Sequence, residues 1–173
     1  NILCIRGPES AVTTQERAKG CRQAIVDFGE PCRLKIHGNE FSIQNGYTET
    51  KVALMKPNMP TAIFTMSTNI LLGTIKAINE QGLKIPDDIS VISFDDSVYL
   101  DYLNPAITRV AQPTENMALA AVKMMINCLK EGKQLQSKIF MAPTLIAKDS
   151  IKIINPYTAH HEQPEGRLAY DDT

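Results

Sequence analysis

The chain has 173 residues, of which 43% are hydrophobic, and this length suits one domain with a core of its own better than two full domains. The 18 lysine and arginine residues are balanced by 19 acidic residues, which gives a formal net charge of -1. No excess positive charge is available to attract a phosphate backbone, so we expect the chain itself to bind nucleic acid poorly. No apolar run reaches the ~18 residues that a membrane span requires.

From its start to about residue 110, the chain alternates short apolar runs with longer stretches of helical periodicity. This alternation predicts βαβ units and a parallel sheet covered by helices. We predict strands at 2–5, 33–36, 61–65, 90–94 and 106–110, and helices at 15–28, 43–55 and 69–81. Gly29 and Gly82 follow two of these helices, and glycine at that position readily takes the left-handed conformation that ends a helix. The residues of the first helix expected to face inward are Ala18, Cys21, Ile25 and Phe28.

The rhythm changes after Gln112. Residues 113–129 form an apolar stripe at helical spacing, which predicts a helix that is buried against another surface and ends before Gly132. We predict two strands at 138–141 and 144–147, and Pro143 between them would break the hydrogen-bond ladder. This joint therefore indicates a crossover between two separate sheets. Residues 156–173 carry four acids against one arginine and show no period, so we expect them to be loosely ordered.

The four cysteines, Cys4, Cys21, Cys32 and Cys128, show neither a C-x-x-C pair nor the cysteine-histidine spacing of a zinc site. They are typical of free thiols in a reducing cytosol, and we predict a cytoplasmic protein without a metal or other cofactor. The chain begins at Asn1 directly before the first strand and without a methionine. We therefore expect it to be a piece of a longer protein.

Residues suited to ligand binding follow each predicted strand at its carboxyl end, where ligands sit in open α/β sheets. A polar loop with Thr13 leads to Arg17 after the first strand, Phe41 follows the second, Ser67 the third and Asp95 the fourth. Together they offer a carboxylate for hydroxyl groups, a guanidinium fork, an aromatic face and a hydroxyl. That combination predicts a site for a polyol such as a sugar.

Each of these residues also has an ordinary structural role open to it. The alternatives are an ion pair of Arg17 with Glu16 or Asp27, a hydrophobic staple by Phe41, an N-cap by Ser67, and a cap of the turn toward Tyr99 by Asp95 or Asp96. Their convergence at one edge of the sheet favours the ligand site.

The passage from residue 89 to residue 113 has a specific resemblance. It reads Ile-Ser-Val-Ile-Ser-Phe-Asp-Asp and then Pro-Ala-Ile-Thr-Arg-Val-Ala-Gln-Pro, and it resembles the effector-binding core of the LacI/GalR family of bacterial sugar-responsive transcriptional repressors. The resemblance covers nearly all of residues 2–155. It implies that Arg17, in an Arg-x-x-Gly motif, binds effector hydroxyls or a carboxylate. It also implies that Phe41 stacks on the ligand and that Asp95 clamps hydroxyls.

Two departures from the family pattern concern the effector. Ser67-Thr68 stands where relatives usually have Asn-Asp, which removes an amide and a carboxylate from the expected site. Ala11 stands where purine-binding members hold an arginine, so a nucleobase effector is not expected.

The resemblance implies a periplasmic-binding-protein-like type I fold, of which this chain contains mainly the C-terminal subdomain. Residues 1–110 would form that subdomain, 111–142 would return to the N-terminal subdomain, 143–155 would form a final strand, and 156–173 a tail. The partners implied are a small sugar or sugar derivative, a second copy of the chain, and operator DNA through a headpiece that lies outside this sequence.

The helix at 69–78 resembles the family's dimerisation helix, with Leu71, Leu72 and Ile75 on it, and Tyr102 falls at a position used in the same interface. The alternative is that these residues form intramolecular core, because a helix on a sheet needs an apolar stripe in any case.

Two further classes of protein remain as alternatives. A sugar-binding protein of a transport system would share the two-lobed architecture, but such proteins are exported and usually monomeric. An enzyme would need a phosphate-binding glycine loop or an activated nucleophile, and neither G-x-G-x-x-G nor G-x-S-x-G occurs. We therefore predict no catalytic residues.

Overall fold

A computed structural model describes residues 1–29, 31–131 and 138–153. Within these ranges six strands form one sheet: β1 Ile2–Ile5, β2 Leu34–His37, β3 Ala62–Thr65, β4 Ser90–Phe94, β5 Thr108–Ala111 and β6 Thr144–Ile146. The helices are α1 Val12–Phe28, α2 Ile43–Leu54, α3 Thr68–Glu80 and α4 Thr114–Glu131, with a short 3-10 helix at Val98–Asp101. The predicted tail at 156–173 and the helix stop at Gly132 lie outside the described residues.

The sheet has the strand order β2-β1-β3-β4-β5-β6. The first five strands are parallel to one another, and β6 pairs antiparallel with β5. The predicted α/β class with an open, mostly parallel sheet is confirmed. The carboxyl ends of β1 to β4 lie together along one edge, because Ile5 is in register with both His37 and Thr65, and Thr65 with Ser93.

The main core lies between the sheet and the pair α2 and α3. Its fully buried members come from β1, β3, β4, α3 and the loops beside them, and they include Leu3, Ile63, Ile70, Leu71, Ile78, Val91 and Leu100. Two glycines bring α2 and α3 into backbone contact. A Cβ at Gly46 would overlap the carbonyl of Ile70, and one at Gly73 would overlap the carbonyl of Ile43.

Two predictions about α1 are corrected. The helix begins at Val12, three residues before the predicted start, without a side-chain cap at Ala11. Phe28 does not face inward, since it is 70% exposed. The apolar cluster under α1 is built around Cys4, Ala18 and Met66, and Phe28 is not among the residues packed against it. Gly29 does end the helix in the left-handed conformation, with φ 72°.

The predicted strand at 138–141 is wrong, because residues 138–143 carry no strand. A strand needs a neighbouring strand with which to exchange backbone hydrogen bonds. In the described chain, this segment begins to pair with β5 only at Thr144. The predicted helix after Gln112 is present as α4, but many of its apolar side chains are exposed, namely Met117, Leu119, Val122, Met125, Ile126 and Leu129.

Candidate functional site

The five residues predicted to bind ligand line one open cleft at the carboxyl edge of the sheet. Thr13, Arg17, Phe41, Ser67 and Asp95 are joined there by Thr68, Asn69 and Ser97. The empty volume of the cleft, including adjoining open solvent, is about 800 Å³. Ser97 is the member of this lining that the sequence did not predict.

Arg17 reaches this cleft from the second turn of α1. Its Nη1 donates to the carbonyl oxygen of Met66 over 2.6 Å, and its guanidinium carbon lies 3.6 Å from the centroid of the Phe94 ring. Burial lowers the pKa of Arg17, and the nearby charge of Asp95 opposes that shift. The alternative of an ion pair with Glu16 or Asp27 is wrong, because neither carboxylate contacts Arg17 in the described part of the chain, and the charge that acts on Arg17 is that of Asp95. Asp27 accepts a hydrogen bond from Gln23 on the same helix.

Phe41 is positioned by Gly7, which follows β1. The ring occupies the space that a Cβ at Gly7 would fill, and it packs against the main core at the margin of the cleft. The hydrophobic-staple alternative is wrong. Ser42 is the N-cap of α2 and accepts from the Asn45 amide over 3.1 Å, so the staple partner would be Gly46, which has no side chain.

Ser67 has the structural role that the alternative proposed. It is the N-cap of α3, and its Oγ accepts from the Ile70 amide over 3.4 Å. A hydroxyl has one donor and two acceptor positions, so capping leaves Ser67 able to donate a hydrogen bond into the cleft that it lines.

Asp95 has a backbone conformation rare for its residue type, with φ 80°. Non-glycine residues take the left-handed region seldom, and aspartate is among those that tolerate it best. Its amide donates to the carbonyl oxygen of Val110 over 3.1 Å, and its Oδ1 accepts from Gln112 Nε2 over 2.6 Å. The alternative of a turn cap is therefore wrong for Asp95, whose carboxylate is held by Gln112 at the end of β5.

Asp96 belongs to an ion-pair network beside the cleft. Arg109, in the middle of β5 and only 4% exposed, contacts Asp96 Oδ1 through its Nε at 2.5 Å. Its two terminal nitrogens donate to the two carboxylate oxygens of Asp101 over 3.0 and 3.1 Å. Lys148 also contacts Asp101 at 3.0 Å.

The hydrogen bonds from Arg109 and Lys148 lower the pKa of Asp101 to about 2. Sequence reasoning missed Arg109 and the contact of Gln112 with Asp95. The sequence did contain a signal for Arg109, because an arginine inside a predicted buried strand requires a charged or polar partner.

The four residues predicted for a dimer interface are not equally placed. Leu71 has no exposed surface and lies in the main core, so the alternative of intramolecular core holds for it and its interface assignment is corrected. Leu72 and Ile75 are half-buried, and Tyr102 is 83% exposed. An interface on this side would therefore use Leu72, Ile75 and Tyr102.

In the described part of the chain, no three histidine, cysteine or acidic residues lie close enough together to hold a metal ion. The cysteines there are free thiols, with Cys4 buried and the other three half-buried. No helix among the described residues is both long enough and apolar enough to cross a membrane.

A mostly parallel sheet flanked by helices, with a polar cleft at its carboxyl edge, is the architecture of an α/β ligand-binding domain. Residues 1–151 match the family described as periplasmic binding protein-like domain. The chain belongs to this family, and its resemblance to LacI/GalR effector-binding domains is confirmed by its relatives.

Two relatives are regulators from Bacillus subtilis. The "HTH-type transcriptional regulator DegA" is 32% identical over 156 residues, which cover 90% of this chain and 46% of the relative. The "Probable HTH-type transcriptional repressor ExuR" is 28% identical over 154 residues, which cover 88% of this chain and 46% of the relative. The chain thus spans about half the length of the curated relatives it matches.

Solved structures agree on the fold. A dimeric lac repressor superposes with a TM-score of 0.78 and 23% sequence identity, and the match covers 87% of this chain and 55% of the lac repressor chain.

Proposed function

We propose that this chain is the ligand-sensing and dimerisation part of a sugar-responsive transcriptional repressor. The observation that carries the proposal is the meeting of Thr13, Arg17, Phe41, Ser67 and Asp95 in one cleft. The names of the relatives, which are helix-turn-helix regulators, support a role in transcription over one in transport or catalysis.

The chemistry of the cleft suits a polyol. Asp95 uses Oδ1 for Gln112, which leaves Oδ2 to accept from a hydroxyl. Arg17 uses one of its donors for Met66, and a guanidinium has five. The ring of Phe41 offers an apolar surface for the carbon face of a sugar.

A second lobe would complete the site. We propose that residues 1–110 form one lobe, that 111–142 pass into the other, and that 143–155 return. The exposed apolar side chains of α4 support this division, because a helix with such a face is stable in water only when another surface covers it. A sugar bound between the two lobes would favour the closed arrangement, since it gains contacts there that the open arrangement lacks.

The closed and open arrangements would differ in how two copies of the protein are held. Leu72, Ile75 and Tyr102 are the residues we propose for the contact between copies. Operator DNA would be bound by a headpiece outside this chain, and two such heads must be spaced to match two half-sites. The net charge of -1 fits a chain that leaves the DNA contact to another domain.

A thermal-shift screen of the full-length protein tests the proposal. The panel is D-glucose, D-galactose, D-glucuronate and D-glucose 6-phosphate, which differ in stereochemistry and charge. A ligand that binds only the folded state raises Tm by an amount set by its concentration relative to Kd, so we expect at least one member to do so.

The variants Asp95→Asn and Asp95→Ala identify the site. Asparagine tolerates the left-handed backbone and can still accept from Gln112, so we expect the Tm of Asp95→Asn without sugar to be near that of the wild type. We expect no rise in the Tm of this variant when sugar is added. Alanine should lose both stability and the shift. A sugar that stabilises wild type and Asp95→Asn equally would show that the cleft is not its site.

A further inference from the structure

Arg109 is a buried charge that none of the roles proposed so far uses. It lies in the middle of β5, is 4% exposed, and contacts two carboxylates that are each about two-fifths exposed, 42% for Asp96 and 41% for Asp101. Burying a guanidinium costs free energy unless it is paired and hydrogen-bonded. An apolar residue at position 109 would avoid that cost. The charge of Arg109 therefore indicates a role other than packing.

The segment from Asp95 to Asp101 is attached to β5 at both of its ends. At the start, the Asp95 amide donates to Val110, Gln112 donates to the Asp95 carboxylate, and Arg109 Nε meets Asp96. At the far end, the Arg109 fork donates to both oxygens of Asp101. Arg109 is thus the one side chain among these contacts that binds both ends of the loop that carries Asp95.

This attachment matters because of the backbone of Asp95. A φ of 80° is unfavourable for a non-glycine residue and persists only where the surroundings impose it. The neighbouring residue, Asp96, is the one that Arg109 holds most closely, at 2.5 Å. Without that contact the peptide between the two aspartates could relax toward a commoner conformation and turn the Asp95 carboxylate away from the cleft.

Lysine cannot replace Arg109 in this role. A guanidinium presents five donors in a fixed planar fork, whereas an ammonium is a single compact charge on a flexible chain. Arg109 uses Nε for one carboxylate and both terminal nitrogens for the other, and an ammonium at the same place has no equivalent geometry.

We propose that Arg109 is a positioning residue of the ligand site, which holds the segment 95–101 so that Asp95 keeps the conformation in which it meets the ligand. The inference rests on the proposed function, since it deepens the account of the same cleft. Arg109 itself does not line the cleft and acts through Asp95.

The test compares three variants of the full-length protein. Arg109→Lys keeps the charge and loses the fork, and Asp96→Asn changes only a half-exposed partner and puts the fold at little risk. Lys148→Met is the matched control, because it removes a contact to Asp101 and leaves every contact of Arg109 in place. Each is titrated with the four sugars of the panel, and amide hydrogen exchange is followed in peptides that span 95–101.

We expect Arg109→Lys to bind the panel sugar about tenfold or more weakly than wild type, as loss of a charged hydrogen bond would give. Exchange should rise in 95–101 and stay unchanged in β1 and β3. Asp96→Asn should shift both readouts in the same direction by less, and Lys148→Met should retain wild-type affinity.

Unchanged affinity in Arg109→Lys would overturn the inference, and so would weaker binding accompanied by faster exchange throughout the protein, which would indicate a structural role only. If no member of the panel binds the wild type, the proposed function fails, and the inference falls with it. These failures are distinguishable, because the last one is seen before any variant is made.

Discussion

The central carbon of the Arg17 guanidinium lies over the Phe94 ring, 3.6 Å from its centroid, while one terminal nitrogen donates to the Met66 carbonyl over 2.6 Å. Two neighbouring strands therefore fix the orientation of this side chain, since Met66 follows β3 and Phe94 ends β4. Neither contact consumes the charge of Arg17 in an ion pair. The guanidinium is thus oriented at the cleft and keeps donors for a ligand.

The variant Arg17→Lys tests whether sugar binding depends on the charge of Arg17 or on the planar shape of its guanidinium. Lysine keeps the positive charge but loses both the planar stacking on Phe94 and the fork geometry. We expect affinity for the panel sugar to fall about tenfold or more, with little change in Tm in the absence of sugar. Isothermal titration of the full-length protein measures it. Lys19→Ala, at an exposed position of the same helix, is the control, and equal losses in both variants would contradict a specific role for Arg17.

The contact between α2 and α3 predicts a contrast among three glycines. Gly46→Ala and Gly73→Ala would each place a methyl group on a backbone carbonyl of the other helix, which must push the helices apart. We expect each to lower the free energy of unfolding by ~3 kcal/mol or more, as severe overpacking does. Because these helices carry Phe41 and Ser67 at their starts, sugar affinity should fall as well.

Gly20→Ala is the matched control for the two glycine variants. Gly20 lies inside α1, and a Cβ there would meet nothing within 4 Å. Alanine is favoured over glycine within a helix, so we expect a gain of ~0.5 to 1 kcal/mol. Urea denaturation measures all three variants. A loss of stability at Gly20 as large as that at Gly46 would show that the contact between α2 and α3 does not set the result.

The fold could be predicted from the sequence because its first five strands and three helices follow local patterns. Alternating apolar runs, cap residues and the glycines after helices depend only on neighbouring residues, and Ser67 and Gly29 behave as those patterns indicate. The clustering of Arg17, Phe41 and Asp95 followed from the rule that parallel strands end at one edge.

The parts that escaped prediction depend on contacts between distant residues. Arg109 is 13 residues from Asp96 along the chain, and no local pattern joins them. Phe28 continues the helical spacing of its stripe, but the apolar cluster under α1 does not include it. Leu71 and Leu72 are adjacent in sequence, and only the packing of α3 on the sheet decides which of them faces inward.

Leu71 and Leu72 give a direct test of the proposed interface between copies. Leu71→Ala empties a fully buried position, and we expect it to cost ~2 to 5 kcal/mol of folding free energy. Leu72→Ala and Tyr102→Ala remove half-buried and exposed side chains, so we expect small effects on folding and weaker self-association. Sedimentation of the full-length protein over a range of concentrations separates the two effects. Unchanged association in both surface variants would rule out this interface.

The ion pairs of Asp101 with Arg109 and Lys148 predict that the free energy of unfolding depends on pH in the acidic range. Arg109 and Lys148 lower the pKa of Asp101 in the folded protein from its usual 3.8 to about 2. A carboxyl with a depressed pKa stabilises the fold at any pH above its value in the unfolded chain, and that contribution is lost as pH falls through the folded value. The loss attributable to Asp101 should therefore occur between about pH 4 and pH 2.

Asp101→Asn isolates this contribution, because the other acidic residues titrate alike in both proteins and cancel in the difference. We expect the variant to be less stable than wild type at pH 6, and the gap to narrow steadily below pH 4, since the protonated carboxyl of the wild type then resembles the amide. Lys148→Met keeps the contacts of Arg109 with Asp101. We expect the difference in stability between wild type and Lys148→Met to narrow over the same pH range, but by less. Urea unfolding at intervals from pH 2 to pH 7 measures both differences. A gap that stays constant across that range would mean that Arg109 and Lys148 do not favour the charged form of Asp101 in the folded protein, and would remove the far anchor of the segment that carries Asp95.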